Sequence, residues 1–250
     1  MSEPILISAE DGIQTIRFNR PEKKNAITSD MYGTIANALE AGDRDDSVRV
    51  HLFLGSEGAF TAGNDIGDFL KFATGGGLSG NVLRFLKAIA GAQKPIVAGV
   101  DGLAIGVGAT MILHCDLAYA SARSTFRTPF IDLGLVPEAA SSLLAPRLMG
   151  HVRAFELLVA GKAFSAEDAL NAGMINAIVD EGELESVARN AAVGLAAKPP
   201  EALGIARRLL RGDRADILKR IDDEADHFAE RLTSHEAQTA FMAFMNKGTP

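Results

Sequence analysis

Pro95-Ile96-Val97-Ala98-Gly99-Val100-Asp101-Gly102-Leu103-Ala104-Ile105-Gly106-Val107-Gly108 is the stretch that decides the fold. Ile96–Val100 is a short apolar run, opened by Pro95 and closed by Asp101-Gly102, which predicts a buried strand. Gly102 to Gly108 reads as a small-residue turn, and Gly106–Cys115 as a buried helix. Asp116–Ala120 is the next short strand. Strand, glycine turn and helix in that order predict an α/β core.

The same order occurs upstream. Val48–Leu54 is a strand candidate, and Phe60-Thr61-Ala62-Gly63-Asn64-Asp65 is a second small-residue turn ahead of a helical stretch. Ile5–Ser8 and Ile13–Asn19 flank Asp11-Gly12 and predict a β-hairpin. Ser29 or Asp30 can cap a helix running to about Gly42, and Asn81–Ala92 has an amphipathic helical pattern. Ala73–Gly80 contains Gly75-Gly76-Gly77 and predicts a mobile loop; it lacks the Gly-Lys-Ser/Thr ending of a phosphate loop. From Glu138 the chain is mainly helical, over Glu138–Met149, Val152–Ala160, Ala166–Ala172, Glu183–Ala197, Pro200–Leu210 and Asp213–Met245, with a break near Ser234. The predicted organisation is a core over 1–197 and a helical region over 198–250, divided at Lys198-Pro199-Pro200.

Composition narrows the function. A net charge of −7 argues against a nucleic-acid footprint, which needs a basic patch. With 47% hydrophobic residues the 250-residue chain can bury a sizeable core. Cys115 is the single cysteine, so no intrachain disulfide forms and no cysteine metal cluster is expected. The N-terminus has no leader pattern and no apolar run approaches ~20 residues, so a cytoplasmic protein without a membrane span is expected.

The two turns carry chemistry of their own. Helix N-termini leave N–H groups unpaired, and a glycine beside them lets a ligand approach the backbone. The candidate donors are the N–H groups of Asn64 and Val107, the second placed by Gly106. Aimed at one thioester oxygen they would stabilise an enolate, each worth about 2.7–4 kcal/mol in the transition state. The competing reading is that these glycines serve tight strand-to-helix packing. A third segment, Leu133-Gly134-Leu135-Val136-Pro137-Glu138, places an acid in apolar surroundings. Two donors and one carboxylate suffice to move a proton next to a carbonyl.

Taken together, these segments resemble the crotonase, or enoyl-CoA hydratase/isomerase, superfamily over nearly the whole chain. The resemblance rests on Phe18-Asn19-Arg20-Pro21-Glu22-Lys23-Lys24-Asn25-Ala26, on Phe60–Asp65, on Lys94–Gly102, on Cys115-Asp116 and on Ala169-Leu170-Asn171-Ala172-Gly173-Met174-Ile175-Asn176. It implies a crotonase-like spiral of ββα turns with a C-terminal α-helical trimerisation region, assembled as a homotrimer or a dimer of trimers. It implies an acyl-CoA thioester substrate, with coenzyme A as part of that substrate, no separate cofactor and no metal. By motif position Asn64 and Val107 supply the oxyanion hole. Lys23, Ala62, Asp65 and Ile66 line the CoA path, although Lys23 also reads as a simple surface lysine. Phe244 and Lys247 match a C-terminal segment that reaches a neighbouring subunit's CoA; the basic ending is shortened here to Asn246-Lys247-Gly248.

The resemblance also bears on the reaction. Hydratases of the superfamily use two glutamates to hold water; those positions are Thr110 and Phe130 here. Thr128–Glu138, with Gly63-Asn64-Asp65-Ile66 and Ser141-Ser142, looks like the 3,2-trans-enoyl-CoA isomerase branch of the peroxisomal type, whose single catalytic glutamate falls on Glu138. The implied reaction shifts a 3-enoyl-CoA double bond to trans-2-enoyl-CoA, with Phe130, Ile131, Leu135 and Leu83 as an apolar wall; unsaturated fatty-acid β-oxidation and the degradation of aromatic or branched acids both use such enzymes. Two alternatives stand beside it: a hydratase or thioester hydrolase of the same superfamily, and a non-catalytic acyl-CoA-binding oligomer.

Other clusters read as structural. Adjacent His114-Cys115-Asp116 suits core packing better than metal ligation, and His51 sits in an apolar strand with no predicted partner. Asp132 suits a loop or capping role, and Arg207-Arg208, Arg211 and Arg214 a solvated helix face or a subunit contact.

Overall fold

β1 (Ile5–Glu10) and β2 (Ile13–Phe18) form the predicted antiparallel hairpin. Asp11 and Gly12 between them have φ of 53° and 77°, the twist that matches a two-residue turn to its strands. The computed structural model describes residues 3–68 and 80–247, with side chains as far as 243. The predicted loop at 73–80 falls outside the described residues but for Gly80, as do the side chains of Phe244 and Lys247. α1 (Ser29–Arg44) begins one residue after its cap: the Thr28 hydroxyl, not Ser29 or Asp30, accepts from the Met31 N–H at 3.3 Å.

Three successive units then repeat one pattern. β3 (Val50–Leu54) leads to β4 (Ala59–Thr61), β5 (Ile96–Val100) to β6 (Leu103–Ile105), and β7 (Leu117–Ser121) to β8 (Thr125–Arg127). With β9 (Phe164–Ser165) and β10 (Ala177–Val179), they build two sheets, ordered β1-β2-β3-β5-β7-β10 and β4-β6-β8-β9. Each unit gives its first strand to the six-stranded sheet and its second to the four-stranded one, and like strands of successive units pair in parallel. The chain therefore advances as a spiral, as expected. Asp101, at the corner of the second unit, pins the other two: its carboxylate accepts from the Gly58 N–H (2.7 Å) in the first unit's corner and from the Ser121 hydroxyl (2.6 Å) and Arg123 Nε (2.8 Å) in the third's. Burial alone would raise this carboxyl, but Arg123, Gly58 and Ser121 hold it down at about 2.

The helices are α2 (Gly80–Gly91), α3 (Val107–Thr110), α4 (Ser141–Leu158), α5 (Ala166–Asn171), α6 (Leu184–Ala196), α7 (Pro200–Arg211), α8 (Arg214–Leu232) and α9 (His235–Lys247). The single helix predicted over Gly106–Cys115 divides into α3 and a 3-10 segment, Met111–His114. The break predicted after Met149 is real: Gly150, at φ 76° and ψ 162°, interrupts α4. The helix predicted to start at Glu138 starts three residues later, because Ala139 and Ala140 sit at φ 62° and 54° and turn the chain left-handed.

α6 covers one face of the large sheet, where Ile13, Val50, Leu52, Leu54 and Val97 meet Ala188 and Ala192. The opposite face belongs to the main core, which draws Phe18, Phe53, Phe60, Phe85 and Phe126 together. His51 faces this second side, buried, with Nδ1 2.8 Å from Gln14 Oε1 and Nε2 3.2 Å from Asp43 Oδ1. Its partners are thus Gln14, its neighbour in the β2–β3 register, and Asp43 at the end of α1.

The basic run on α7 is not a solvated face at two of its positions. Buried Arg207 donates through Nε to both Asp116 oxygens (2.9 and 2.8 Å), and Arg211 Nε reaches Asp116 Oδ1 at 3.2 Å. Arg207 is buried and Asp116 half-buried, and this clamp ties α7 to the spiral. Arg208 and Arg214 remain exposed.

Candidate active site

β4 and β6 lie side by side and parallel, so the turns that follow them leave the sheet at adjacent points. Gly63 follows β4 at φ 86°, and a Cβ placed on it would stand 2.8 Å from the Ile105 carbonyl oxygen at the end of β6. A Cβ on Gly108 would stand 2.5 Å from Thr61 Cγ2. Only residues without a Cβ let the two turns approach so closely. Gly106 turns the chain at φ 57° and ψ −119°, and α3 starts at Val107. The Gly63–Asn64 turn is braced from its other side by the entry segment. Asn25, fully buried, donates to the Ala59 carbonyl at 2.7 Å, Ile27 N–H donates to Gly63 O (2.8 Å), and Asp65 N–H to Ile27 O (2.9 Å). Among the described residues, neither the Asn64 N–H nor the Val107 N–H donates to a protein acceptor. The structure therefore brings two unpaired main-chain donors to neighbouring turns.

Glu138 is 6% exposed, and the Thr110 hydroxyl at the end of α3 donates to its Oε1 at 2.6 Å. That bond joins the acid to the helix whose first residue is Val107. Burial pushes the Glu138 carboxyl up to about 7; the Thr110 hydroxyl opposes the rise and the negative charge of Glu224 adds to it. Tyr32 closes the other side. Its hydroxyl donates to Asn64 Oδ1 at 2.6 Å, and burial, with the charge of Glu138, raises it well above the usual phenol. The carboxyl is thus the group whose proton can come and go near neutral pH, the range useful for general acid–base work.

The model of the enoyl-CoA hydratase/isomerase family matches residues 8–250. The chain belongs to that family. It is 36% identical to enoyl-CoA delta isomerase 2 of Rattus norvegicus over 98% of its length, and it spans 64% of that protein's length. It is 34% identical to 1,2-epoxyphenylacetyl-CoA isomerase of Escherichia coli K12, covering all of this chain and 98% of that one. An enoyl-CoA hydratase/isomerase structure from Pseudoalteromonas atlantica T6c superposes with a TM-score of 0.92 at 39% identity, covering 99% of each chain. The spiral described above is therefore the crotonase fold.

Within this family member the remaining expected residues fall into two groups. Phe130 (5% exposed) and Leu135 (4%) are buried in the main core, and Leu135 N–H donates to Phe130 O at 2.8 Å, closing the loop that leads to Glu138. Ile131 is 45% exposed, and Leu83 lines a groove with Glu40, Arg84 and Lys87. On the entry side Lys23 and Ile66 are exposed and Ala62 is half-buried, its N–H donating to Lys24 O at 2.9 Å. Asp65 is already engaged, with Arg20 Nη1 2.7 Å from its Oδ2 and the Gly67 N–H 2.9 Å from its Oδ1. Asp132 pairs with Arg127 at 2.9 Å on the surface.

Buried His114 packs in the core as expected, but the partners that Thr110, His114 and Glu224 find around Glu138 are not legible in the sequence. Thr110 stands where a hydratase would carry an acid, and its hydroxyl is the direct partner of the acid that is present. His114 holds the Ala139 carbonyl through Nε2 at 2.7 Å, and burial lowers its ring to about 4, so it is neutral and donates. Glu224 of α8 accepts from the Ala140 N–H at 2.6 Å. A signal for Glu224 existed: it falls in step with Ile217, Ile221, Phe228 and Leu232 on the buried stripe of its helix.

Proposed function

We propose that this protein is an acyl-CoA enzyme that moves the double bond of a 3-enoyl-CoA to the trans-2 position. The Glu138 carboxylate takes a proton from C2, and the electron pair passes through the thioester carbonyl to its oxygen. The Asn64 and Val107 N–H groups hold that oxygen. Protonated Glu138 then delivers the proton to C4, where the C3–C4 π pair takes it up; the C1–C2 pair of the dienolate becomes the C2–C3 double bond and the oxygen pair restores the thioester carbonyl. No water enters the balance. One observation carries this reading: a buried carboxyl, pushed up to about 7 by burial, is hydrogen-bonded to the helix that presents the free Val107 N–H. A shuttle must both accept and release a proton, which a carboxyl at its ordinary value does poorly near neutral pH. The other carboxylate whose charge acts on Glu138 is Glu224, whose oxygens are taken by Ala140 and Ser142, so it is not free to position water. Buried Phe130 favours a dry pocket.

Lys23, Ala62 and Ile66 are proposed to meet the CoA, with Asp65 acting indirectly by holding Arg20. The exposed apolar side chains of Val152, Phe155, Leu209 and Leu210 favour a homotrimer or a hexamer in solution. Among the described residues no helix is long and apolar enough to cross a membrane.

The test uses cis-3-hexenoyl-CoA and crotonyl-CoA, with products identified by mass and ultraviolet absorbance. Isomerisation of the first with little hydration of the second is expected. Glu138→Gln lowers isomerase turnover by roughly 10²–10⁴-fold. A 3-hydroxyacyl product or free CoA as the main outcome selects a hydratase or a hydrolase instead, and turnover by Glu138→Gln near the wild-type rate removes Glu138 from the mechanism.

A further inference from the structure

The backbone that carries Glu138 is held in an unfavourable shape from outside the site. Ala139 and Ala140 both lie in the left-handed region, at φ 62° and 54°, a strained conformation for alanine. Something must over-determine that turn. His114 holds the Ala139 carbonyl at 2.7 Å. Glu224, 6% exposed and 84 residues away in sequence from Ala140, does the rest. Its Oε2 accepts from the Ala140 N–H at 2.6 Å, and its Oε1 from the Ser142 N–H at 3.0 Å and the Ser142 hydroxyl at 2.5 Å. These donors stand at the start of α4, so a carboxylate from α8 caps the helix whose own Ala140 cannot.

We propose that Glu224 is a positioning residue for Glu138: it locks the Ala139–Ala140 turn that aims the acid and couples a second carboxyl to it. This rests on Glu138 being the proton shuttle. The two carboxylates are separate in function. Glu224 spends its lone pairs on main-chain and hydroxyl donors and touches no reacting atom, whereas Glu138 keeps one oxygen on Thr110. The like charge of Glu224 acts on Glu138 in the same direction as burial. Burial raises the Glu224 carboxyl, and the Ser142 and Ala140 donors and Arg220 of α8 oppose that rise. The other groups that face the pair are Tyr32 of α1, which senses the Glu138 charge, His114, which reaches the turn through Ala139, and Arg220, which donates to the Ser142 hydroxyl at 3.0 Å.

The experiment titrates Glu138 directly in the unliganded full-length protein, by the carboxyl infrared band that disappears in Glu138→Gln, and measures kcat and KM for cis-3-hexenoyl-CoA across pH. In Glu224→Gln the Glu138 midpoint moves to lower pH, the acid limb of the rate moves with it, and kcat falls about tenfold or more with KM little changed. A purely structural Glu224 would lower stability and leave the midpoint where it was, and that result overturns the proposal. If Glu224→Gln does not fold, Glu224→Asp decides. It retains the charge but withdraws it by one methylene, so kcat falls while the midpoint stays near that of the wild type; wild-type kcat in this variant also overturns the proposal. The infrared titration needs no turnover, so an inactive wild type would sink the isomerase reading and still leave the coupling of the two carboxyls measurable.

Discussion

The proposed oxyanion donors, Asn64 and Val107, and the proposed proton shuttle, Glu138, are built from opposite materials. The donors are main chain. They are free because β4 and β6 end beside one another and because Gly63 and Gly106 turn the chain there, so no side chain has to be bought out of water. The acid is a side chain in a place where a carboxylate is unwelcome. It depends on Thr110 of α3, His114 beyond it and Glu224 of α8, none of them near it in sequence. A main-chain site is specified by where glycines fall. A buried-acid site is specified by burial and by the charges around it, and it carries a standing cost in stability.

The main-chain half breaks most completely through Gly63. Alanine there meets the Ile105 oxygen at 2.8 Å and must hold φ at 86°, so the turn has to move and the Asn64 N–H moves with it. Gly63→Ala is expected to lower kcat by roughly 10²–10³-fold, the loss typical of one oxyanion donor. The check is steady-state turnover on cis-3-hexenoyl-CoA beside circular dichroism. A folded variant with normal kcat would show that the Asn64 donor does not face the reacting oxygen.

The acid half is exposed by a stability measurement. Glu138 binds its proton more tightly in the folded chain, at about 7, than at the reference value of 4.5. Below pH 4.5 both states are protonated and the residue costs nothing on this account. As pH rises through 7 the unfolded chain has already released the proton and the folded chain must release it into a buried site, so stability falls by about 3 kcal/mol. Glu138→Gln removes that fall. Chemical denaturation should find the variant more stable than the wild type by about 3 kcal/mol at pH 8 and similar to it at pH 4. Equal slopes of stability against pH would mean that Glu138 is not raised.

Legibility in the sequence follows the same division. Ile96–Val100, the Asp11-Gly12 hairpin and the break at Gly150 were readable because each depends on a few adjacent residues. So were the two donor turns, whose signal is local glycine. The groups around the acid were not. Glu224 lies in the acidic run Asp222-Asp223-Glu224, which reads as solvated unless its helical phase is compared with Ile221 and Phe228. Arg207 looks like one of several surface arginines until Asp116 is brought beside it, and His51 acquires Gln14 only through strand register. Left-handed Ala139 and Ala140 have no local signal, since alanine favours helix and the residues that force the turn are remote.

The finest distinction concerns Thr110, which belongs to both halves: its backbone closes α3 behind Val107, and its hydroxyl donates to Glu138 at 2.6 Å. Thr110→Val preserves shape and deletes only the hydroxyl. The hydrogen bond favours the ionised carboxyl, so its loss raises Glu138 further above about 7. Since the base form starts the reaction, wild-type kcat/KM should fall as pH drops below about 7, and the variant should begin to fall at higher pH, by about one unit. At pH 9, where both are ionised, the two rates should nearly converge. A variant slowed equally at every pH would place the Thr110 hydroxyl in the geometry of the donors instead of in the chemistry of the acid.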